Sequence, residues 1–414
     1  MVDAYTSVDI GSDTIKVVVC QLNNNKLNLL AASSVKSKGI KNGLIINEEQ
    51  AKESIKKAVS AAEDMLGLKI TKVITSISSY NASFNLVTSK TSITKDTGVD
   101  ENDISRALEN LVRTIDLNGK ELINIIPVDF EIDGIKGIIN PRGHKGKVLN
   151  SRAVLVTAPK KNVYSVVTLF EELGLEVVDI SINGVGDINA LKNKNINGDI
   201  GAIINIGYNI TNISIYNKGI IIKNSIIDLG SKNIDNDISY IYKLNEKDSI
   251  NIKEKYALAH KKYASKIDYY NAVTKLGENV RINQYELSEV VSSRIEEILN
   301  FARSEINTLT KRPVDYIIIT GGTSSMEGFN FLAKEVLGNT TSVGSIKILG
   351  VRNNKYSSAI GNIIYFINKL RLKNVDYTMF DDEFEISNKN NIMNVINDTV
   401  LGKVFGYFFE WLGG

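Results

Sequence analysis

Two stretches, half a chain apart, alternate apolar and polar positions on one plan. In SVDIGSDTIKVVV (7–19) and IINIGYNITNISIY (203–216) an apolar strand reaches an Asp or Asn, then, one residue on, a Gly. A short turn and a second alternating strand follow in both, the signature of a hairpin. The distance between the two copies predicts a duplicated domain, not a short repeat.

After each hairpin the apolar period changes to that of a helix. NEEQAKESIKKAVSAAEDMLGL opens with Asn47 as N-cap and Gln50 at the capping-box position, and aligns Ile55, Ala58, Val59, Ala62 and Leu66. DENDISRALENLVRTI sets Ile104, Leu108, Leu111 and Ile115 on one face, and 285–309 does so with Leu287, Val291, Ile295, Ile298, Ala302 and Leu309. Core packing is the reading for all three faces. VDYIIITGGTSSMEG is a buried strand entering a glycine turn, and KYSSAIGNIIYFINKL (355–370) reads as a helix. From Arg371 to about Ile392 periodicity is lost among acidic, Ser and Asn residues, which predicts a linker.

The chain closes on GKVFGYFFEWLGG. At helical spacing Val400, Leu401, Val404, Phe405, Phe408, Trp411 and Leu412 share one face, with Gly402, Lys403, Gly406 and Glu410 opposite. A helix docked on the protein's own core is the simpler reading. The polar linker before it and the aromatic side chains favour a helix lying in a membrane interface, with Tyr407 and Trp411 at headgroup level. It is too short to span a bilayer, which takes about 20 apolar residues.

Composition narrows this picture. The chain has 414 residues, 43% hydrophobic and 23% charged, enough for more than one core. A formal net charge of +2 gives no field that points to a nucleic-acid partner. The single cysteine, Cys20, excludes an internal disulfide and reads as a buried strand residue. The two histidines, His144 and His260, stand far apart without cysteine neighbours, against a histidine-based metal site or triad. The N-terminus carries no signal-peptide pattern, so the expectation is a protein that works inside the cell.

The candidate chemistry lies in three glycine turns at strand ends. Glycine lets backbone N–H groups approach phosphate oxygens closely, and a small hydroxyl adds a donor. In the first turn Asp9 is placed to hold a metal-bound water, Gly11 and Ser12 to line phosphates, and Lys16 to supply a positive charge. One such turn is weak evidence, but three at matching places in duplicated halves are strong.

These motifs resemble the actin-like ATPase superfamily. DIGSDTIK is similar to its first phosphate motif, NIGYNIT sits where the second belongs, TGGTSSMEG matches its adenosine motif, and YSSAIG sits at a connecting helix. IKEKYA (252–257) is similar to the segment whose Lys and Glu, here Lys253 and Glu254, approach the ribose and base. Within the superfamily the chain resembles the FtsA family end to end, including an inserted subdomain and a terminal amphipathic helix. The resemblance implies an α/β, actin-like (ribonuclease H-like) duplicated fold with two domains around a nucleotide cleft. It implies a first core part at 1–82, continued by 166–199 and 355–372, and an inserted subdomain at 83–165. A second core follows at 200–233 and 310–354, then an upper subdomain at 234–309, a linker at 373–392 and a membrane helix at 393–414.

By the same resemblance the cofactors are ATP and Mg, with Asp9 reaching the metal through water. The nucleotide residues are Asp9, Gly11, Ser12, Lys16, Asn205, Gly207, Asn209, Thr211, Lys253, Glu254, Gly321, Gly322 and Thr323. The partners are FtsZ, further copies of the chain, other division proteins and the lipid surface, at the cytoplasmic face of the bacterial division site. Arg294 and Glu297 are the exposed-face candidates for the FtsZ contact. The second phosphate motif departs from the family pattern: Asn205 stands where a carboxylate is usual, Tyr208 adds bulk, and Asn209 stands where glycine takes a left-handed backbone. Binding is therefore expected to survive better than hydrolysis, and Asn205→Asp to raise turnover more than affinity. The competing readings are an actin-fold small-molecule kinase or ATPase, for which Asp187 is the only nearby base, and a pilus-assembly adaptor.

Overall fold

The computed structural model describes residues 3–191, 200–351, 353–373 and 377–380. The first half opens with strands β1 (Ala4–Ile10), β2 (Thr14–Asn23) and β3 (Lys26–Lys36), then the short pair β4 (Ile40–Lys41) and β5 (Leu44–Ile45). Helix α1 (Glu48–Leu66) leads to β6 (Lys72–Ile77). The chain then leaves for β7 (Ser83–Ser92), α2 (Glu101–Val112), β8 (Lys120–Ile132), β9 (Ile135–Ile138) and β10 (Val148–Pro159). It returns through α3 (Lys160–Glu172), β11 (Glu176–Ile182) and α4 (Asn183–Leu191).

The second half repeats the plan. Strands β12 (Ile200–Ile206), β13 (Thr211–Asn217) and β14 (Ile220–Ile227) are followed by α5 (Ser231–Tyr242), α6 (Glu246–Tyr256), β15 (Tyr269–Val273) and β16 (Asn279–Asn283). Then come α7 (Gln284–Leu309), β17 (Tyr316–Thr320), α8 (Phe329–Leu337), β18 (Thr341–Val343) and α9 (Ser357–Lys373).

The two main sheets have equivalent orders, β11-β6-β1-β2-β3 and β18-β17-β12-β13-β14. Both pair antiparallel across the hairpins and parallel towards the later strands. Register makes the duplication concrete. Asp9 faces Lys16 on β2 and Ser76 on β6, while Asn205 faces Asn212 on β13 and Thr320 on β17. The charged pair of the first hairpin is thus an amide pair in the second. The inserted sheet, β7-β10-β8-β9, hangs between β6 and β11; the upper subdomain hangs between β14 and β17.

Local signals explain the helices that flank these sheets. Asn47 Oδ1 accepts from the Gln50 N–H at 3.0 Å, and Gly67 ends α1 in the left-handed region at φ 73°. Asp100 and Asp103 form a reciprocal capping box on α2. The faces read from sequence are the buried ones: Ile55, Ala58, Val59 and Ala62 in α1, and Leu287, Val291, Ile295, Ile298 and Ala302 in α7. Cys20 is fully buried on the sheet face covered by α9.

Helices α4 and α9, each following the last strand of its own sheet, pack on one another. A Cβ on Gly361 would lie 1.7 Å from the Gly186 carbonyl oxygen, so only glycine permits this crossing. It brings Asp187, Ser357 and Ser358 together behind Asn205 of the second hairpin.

Two boundaries differ from the sequence reading. The end of the inserted part at 165 falls inside α3, which packs on the first core with β11, β6 and α1, so the inserted sheet ends at Pro159. The stretch read as a linker begins as packed chain. Helix α9 runs through Lys373, and Met379 is buried, its N–H donating to the Ala4 carbonyl, while the Tyr377 ring meets Phe366 edge-on. The apolar Tyr377, Met379 and Phe380 were masked by their acidic neighbours. The terminal helix at 393–414, with Val400 to Leu412, lies outside the described residues. Among the described residues no helix is long and apolar enough to cross a membrane.

Candidate functional site

Between the two sheets opens a cleft of about 650 Å3, within the range of small-molecule sites. Asp9, Gly11, Ser12, Lys16, Asn205, Gly207, Asn209, Lys253, Glu254, Gly321, Gly322 and Thr323 all line it. Thr211 does not. Its residue is fully buried and its hydroxyl donates to the Leu229 carbonyl at 2.8 Å, because strand alternation turns it inward while Asn212 faces the cleft.

The glycines are needed for close approach. A Cβ on Gly11 would sit 2.6 Å from the Thr14 carbonyl oxygen and 3.1 Å from Lys16 Nζ; on Gly207 it would sit 2.9 Å from the Ile210 oxygen. Gly321 is left-handed at φ 94°, and a Cβ there would meet the Ile206 oxygen at 2.3 Å. Asn209, by contrast, is not in the left-handed region. The turn from Gly207 closes without it, through the Gly207 N–H donating to the Ile210 carbonyl at 3.0 Å.

Two of the lysines in the cleft are paired within the protein. Lys16 Nζ lies 2.8 Å from Asp9 Oδ2, and Lys253 Nζ lies 2.7 Å from Asp235 Oδ1 on α5. Burial holds the Asp235 carboxyl above its ordinary range despite Lys253. Ser12 Oγ accepts from the Gly43 N–H at 3.0 Å, which leaves its own O–H to donate. The hydroxyls of Ser78 and Thr323, both lining the cleft, find no partner among the described residues.

The structure also brings in residues that the motifs did not mark. Lys355, in the turn before α9, has its pKa lowered by burial and then by the nearby charge of Lys16, and no carboxylate pairs with it among the described residues. Asn353 and Asn354 flank it, and a run of small polar residues before a helix start was the available signal. Tyr208 stands at the mouth, its hydroxyl donating to Glu246 at 3.2 Å and its ring 5.6 Å from Lys36 Nζ of the first domain. Asn42 and Asp228, at 3.3 Å, make a second link across the opening.

Asp187 is beneath the floor rather than in it. It is 1% exposed; its Oδ2 accepts from Asn205 Nδ2 at 2.7 Å, and its Oδ1 from Ser357 and Ser358 at 2.6 and 2.9 Å. Burial lifts its carboxyl to about 6, against these three hydrogen bonds, and the charge of Asp9 adds to the rise. An Asn205→Asp change would therefore set a second carboxylate against a buried one. The simple gain in turnover expected from sequence does not follow from this geometry.

On the upper subdomain Arg294 is not a free surface group. Its Nε and Nη2 grip Asp237 of α5 at 2.6 and 2.8 Å, and Nη1 also meets Glu297. Side-chain pairing between α5 and α7, invisible in either helix alone, ties Arg294 to Asp237, while Glu297 stays partly exposed beside it.

Two family models match, "Cell division protein FtsA" over residues 202–361 and "SHS2 domain inserted in FTSA" over 80–157, together more than half of the chain. The chain belongs to the FtsA family. It is 28% identical over 379 residues to the cell division protein FtsA of Bacillus subtilis (strain 168), covering 90% of this chain and 85% of that protein. Against the FtsA of Borreliella burgdorferi the identity is 26%, with coverage of 86% and 89%. Among solved structures, the PilM–PilN type IV pilus biogenesis complex aligns with TM-score 0.60 and 13% identity over 87% of this chain and 98% of that one. MreB5 of Spiroplasma citri bound to ADP aligns with TM-score 0.50 and 14% identity, over 90% and 98%. These structural likenesses establish the actin-like fold; the FtsA matches make this an actin-like cell-division protein, with the family's own insertion as the β7–β10 sheet.

Proposed function

We propose that this FtsA-family protein binds ATP with Mg2+ in the cleft, assembles with copies of itself, and links FtsZ to the cytoplasmic face of the membrane at the division site. The observation that carries the nucleotide reading is the cleft itself, with three glycine turns converging from duplicated sheets. Lys16 and Lys355 supply positive charge to phosphates.

No group of three His, Cys, Asp or Glu side chains able to hold a metal alone occurs among the described residues. That fits Mg2+, which keeps waters and is bound largely through the phosphates of its nucleotide. Asp9 is the residue to hold it through water, and its charge would then be shared between the cation and Lys16. When bound, Mg2+ neutralises charge on the phosphates. With Asn205 contributing no charge, turnover is slow, because hydrolysis depends on a positioned water and a stabilised transition state more than binding does.

A small-molecule kinase is the weaker reading. Asp187 is sealed behind Asn205, Ser357 and Ser358, with both oxygens engaged, and so reaches no substrate hydroxyl. For the FtsZ contact the upper subdomain remains the proposed site, and the exposed apolar side chains Tyr240, Ile241 and Leu276 replace the Arg294–Glu297 pair as candidates. The tail from Val400 to Leu412 is the proposed anchor, weak in one copy and strengthened by self-assembly.

Co-sedimentation with liposomes, with and without purified FtsZ and ATP, tests this reading. The intact protein should carry FtsZ into the lipid pellet, and removal of 400–414 should leave both in the supernatant. FtsZ that stays soluble beside membrane-bound protein would refute the tether.

A further inference from the structure

Asp187 has an environment that packing does not explain. A buried carboxylate is costly unless it is paired, and neutral hydrogen-bond donors return only part of that cost. All three of its donors are neutral, and among the described residues no Lys, Arg or His forms an ion pair with it. The nearest charge named in its surroundings is Asp9, which has the same sign. Two negative groups thus approach the site, Asp9 on the first hairpin and Asp187 on α4 from behind Asn205.

Asn205 is held between them in a single orientation. Its Nδ2 donates to Asp187 at 2.7 Å, and the flipped amide would set oxygen against carboxylate. The Asn205 carbonyl oxygen consequently points to the Gly321 side of the cleft, where a Cβ on Gly321 would lie 2.8 Å from it.

We propose that Asp187 is the positioning residue of the second hairpin: it fixes the Asn205 carbonyl towards the cleft and supplies, from behind Asn205, the negative charge that the hairpin itself lacks for a divalent cation bound with the nucleotide. This rests on the nucleotide reading above and deepens it. The counter-charge for the buried carboxylate is then the cation, and helix α4 of the first half supplies the carboxylate that strand β12 of the second half lacks. Ser357 and Ser358, at the start of α9, hold Asp187 from the other side. The position is possible because Gly186 and Gly361 let α4 approach α9 so closely.

The test is calorimetric titration of the intact protein with ATP in excess Mg2+ and, separately, in EDTA. The native protein should bind about tenfold or more tightly with Mg2+, a difference of 1.4 kcal/mol. Asp187→Asn should reduce the Mg2+ gain, read as the ratio of the two affinities, to about threefold or less. The exchange variant Asp187→Asn/Asn205→Asp, which returns the charge to the hairpin, should recover the gain. If Asp187→Asn fails to fold, judged by circular dichroism, Asp187→Ser and the exchange variant carry the same comparison. An undiminished Mg2+ gain in Asp187→Asn or Asp187→Ser overturns the proposal, as does an exchange variant that folds and recovers nothing. ATP binding by the native protein that ignores Mg2+ overturns it too, while leaving the nucleotide site standing. No ATP binding under either condition would remove the nucleotide reading and this proposal together.

Discussion

Gly361→Ala puts one methyl carbon 1.7 Å from the Gly186 carbonyl oxygen, where real contacts stay beyond 3.0 Å. Backbone meets the new carbon, so no side-chain rotation relieves it, and α4 and α9 must separate by roughly 1 Å or more in an interior packed to crystal density. Overpacking of this kind costs about 1–3 kcal/mol. The same displacement stretches the bonds from Ser357 and Ser358 to Asp187, at about 1.5–3 kcal/mol for a hydrogen bond to a charged group. Alanine returns about 1 kcal/mol of helix propensity. The balance is a loss of about 3 kcal/mol, together with weaker ATP binding because the floor beneath Asn205 moves. Urea unfolding followed by circular dichroism reads the first, and titration with ATP the second. A midpoint equal to or above that of the native protein, with unchanged slope, would refute the reasoning.

Arg294→Ala and Asp237→Ala should each loosen α5 from α7, with a coupling in the double-mutant cycle of about 1 kcal/mol for a half-buried pair. A coupling of zero would return Arg294 to the surface. Cys20, buried and pushed up to about 12, should resist thiol reagents in the folded protein, since roughly 10⁻⁴ of it is thiolate near pH 8. Rapid labelling without denaturant would contradict that burial.

Periodicity made the hairpins, the helix faces and the duplication legible, because each depends on residues a few positions apart. The same patterns located most of the cleft, since a strand end followed by glycine turns its backbone to the same side in both halves. What escaped was pairing across the fold. Thr211 looked like a phosphate ligand until the pleat turned it towards Leu229, and Arg294 looked free until α5 brought Asp237 to it. Asp187 carries no motif at all, and its partners come from β12 and α9. Tyr377 and Met379 were hidden by polar neighbours, although the Tyr377 carbonyl accepts from the Tyr5 hydroxyl and the Met379 N–H donates to Ala4.

The claim on which the account rests is that the two hairpins and the Gly321 turn together form a nucleotide site. Calorimetric titration of ATP in Mg2+ into the native protein and into Gly11→Ala tests it most directly. A Cβ at Gly11 meets the Thr14 carbonyl at 2.6 Å and crowds Lys16, so it closes the turn to phosphate while leaving the second domain untouched. One ATP bound per chain, weakened about tenfold or more by Gly11→Ala, is the predicted result. An affinity unchanged by that substitution, or no binding by the native protein, would contradict the account.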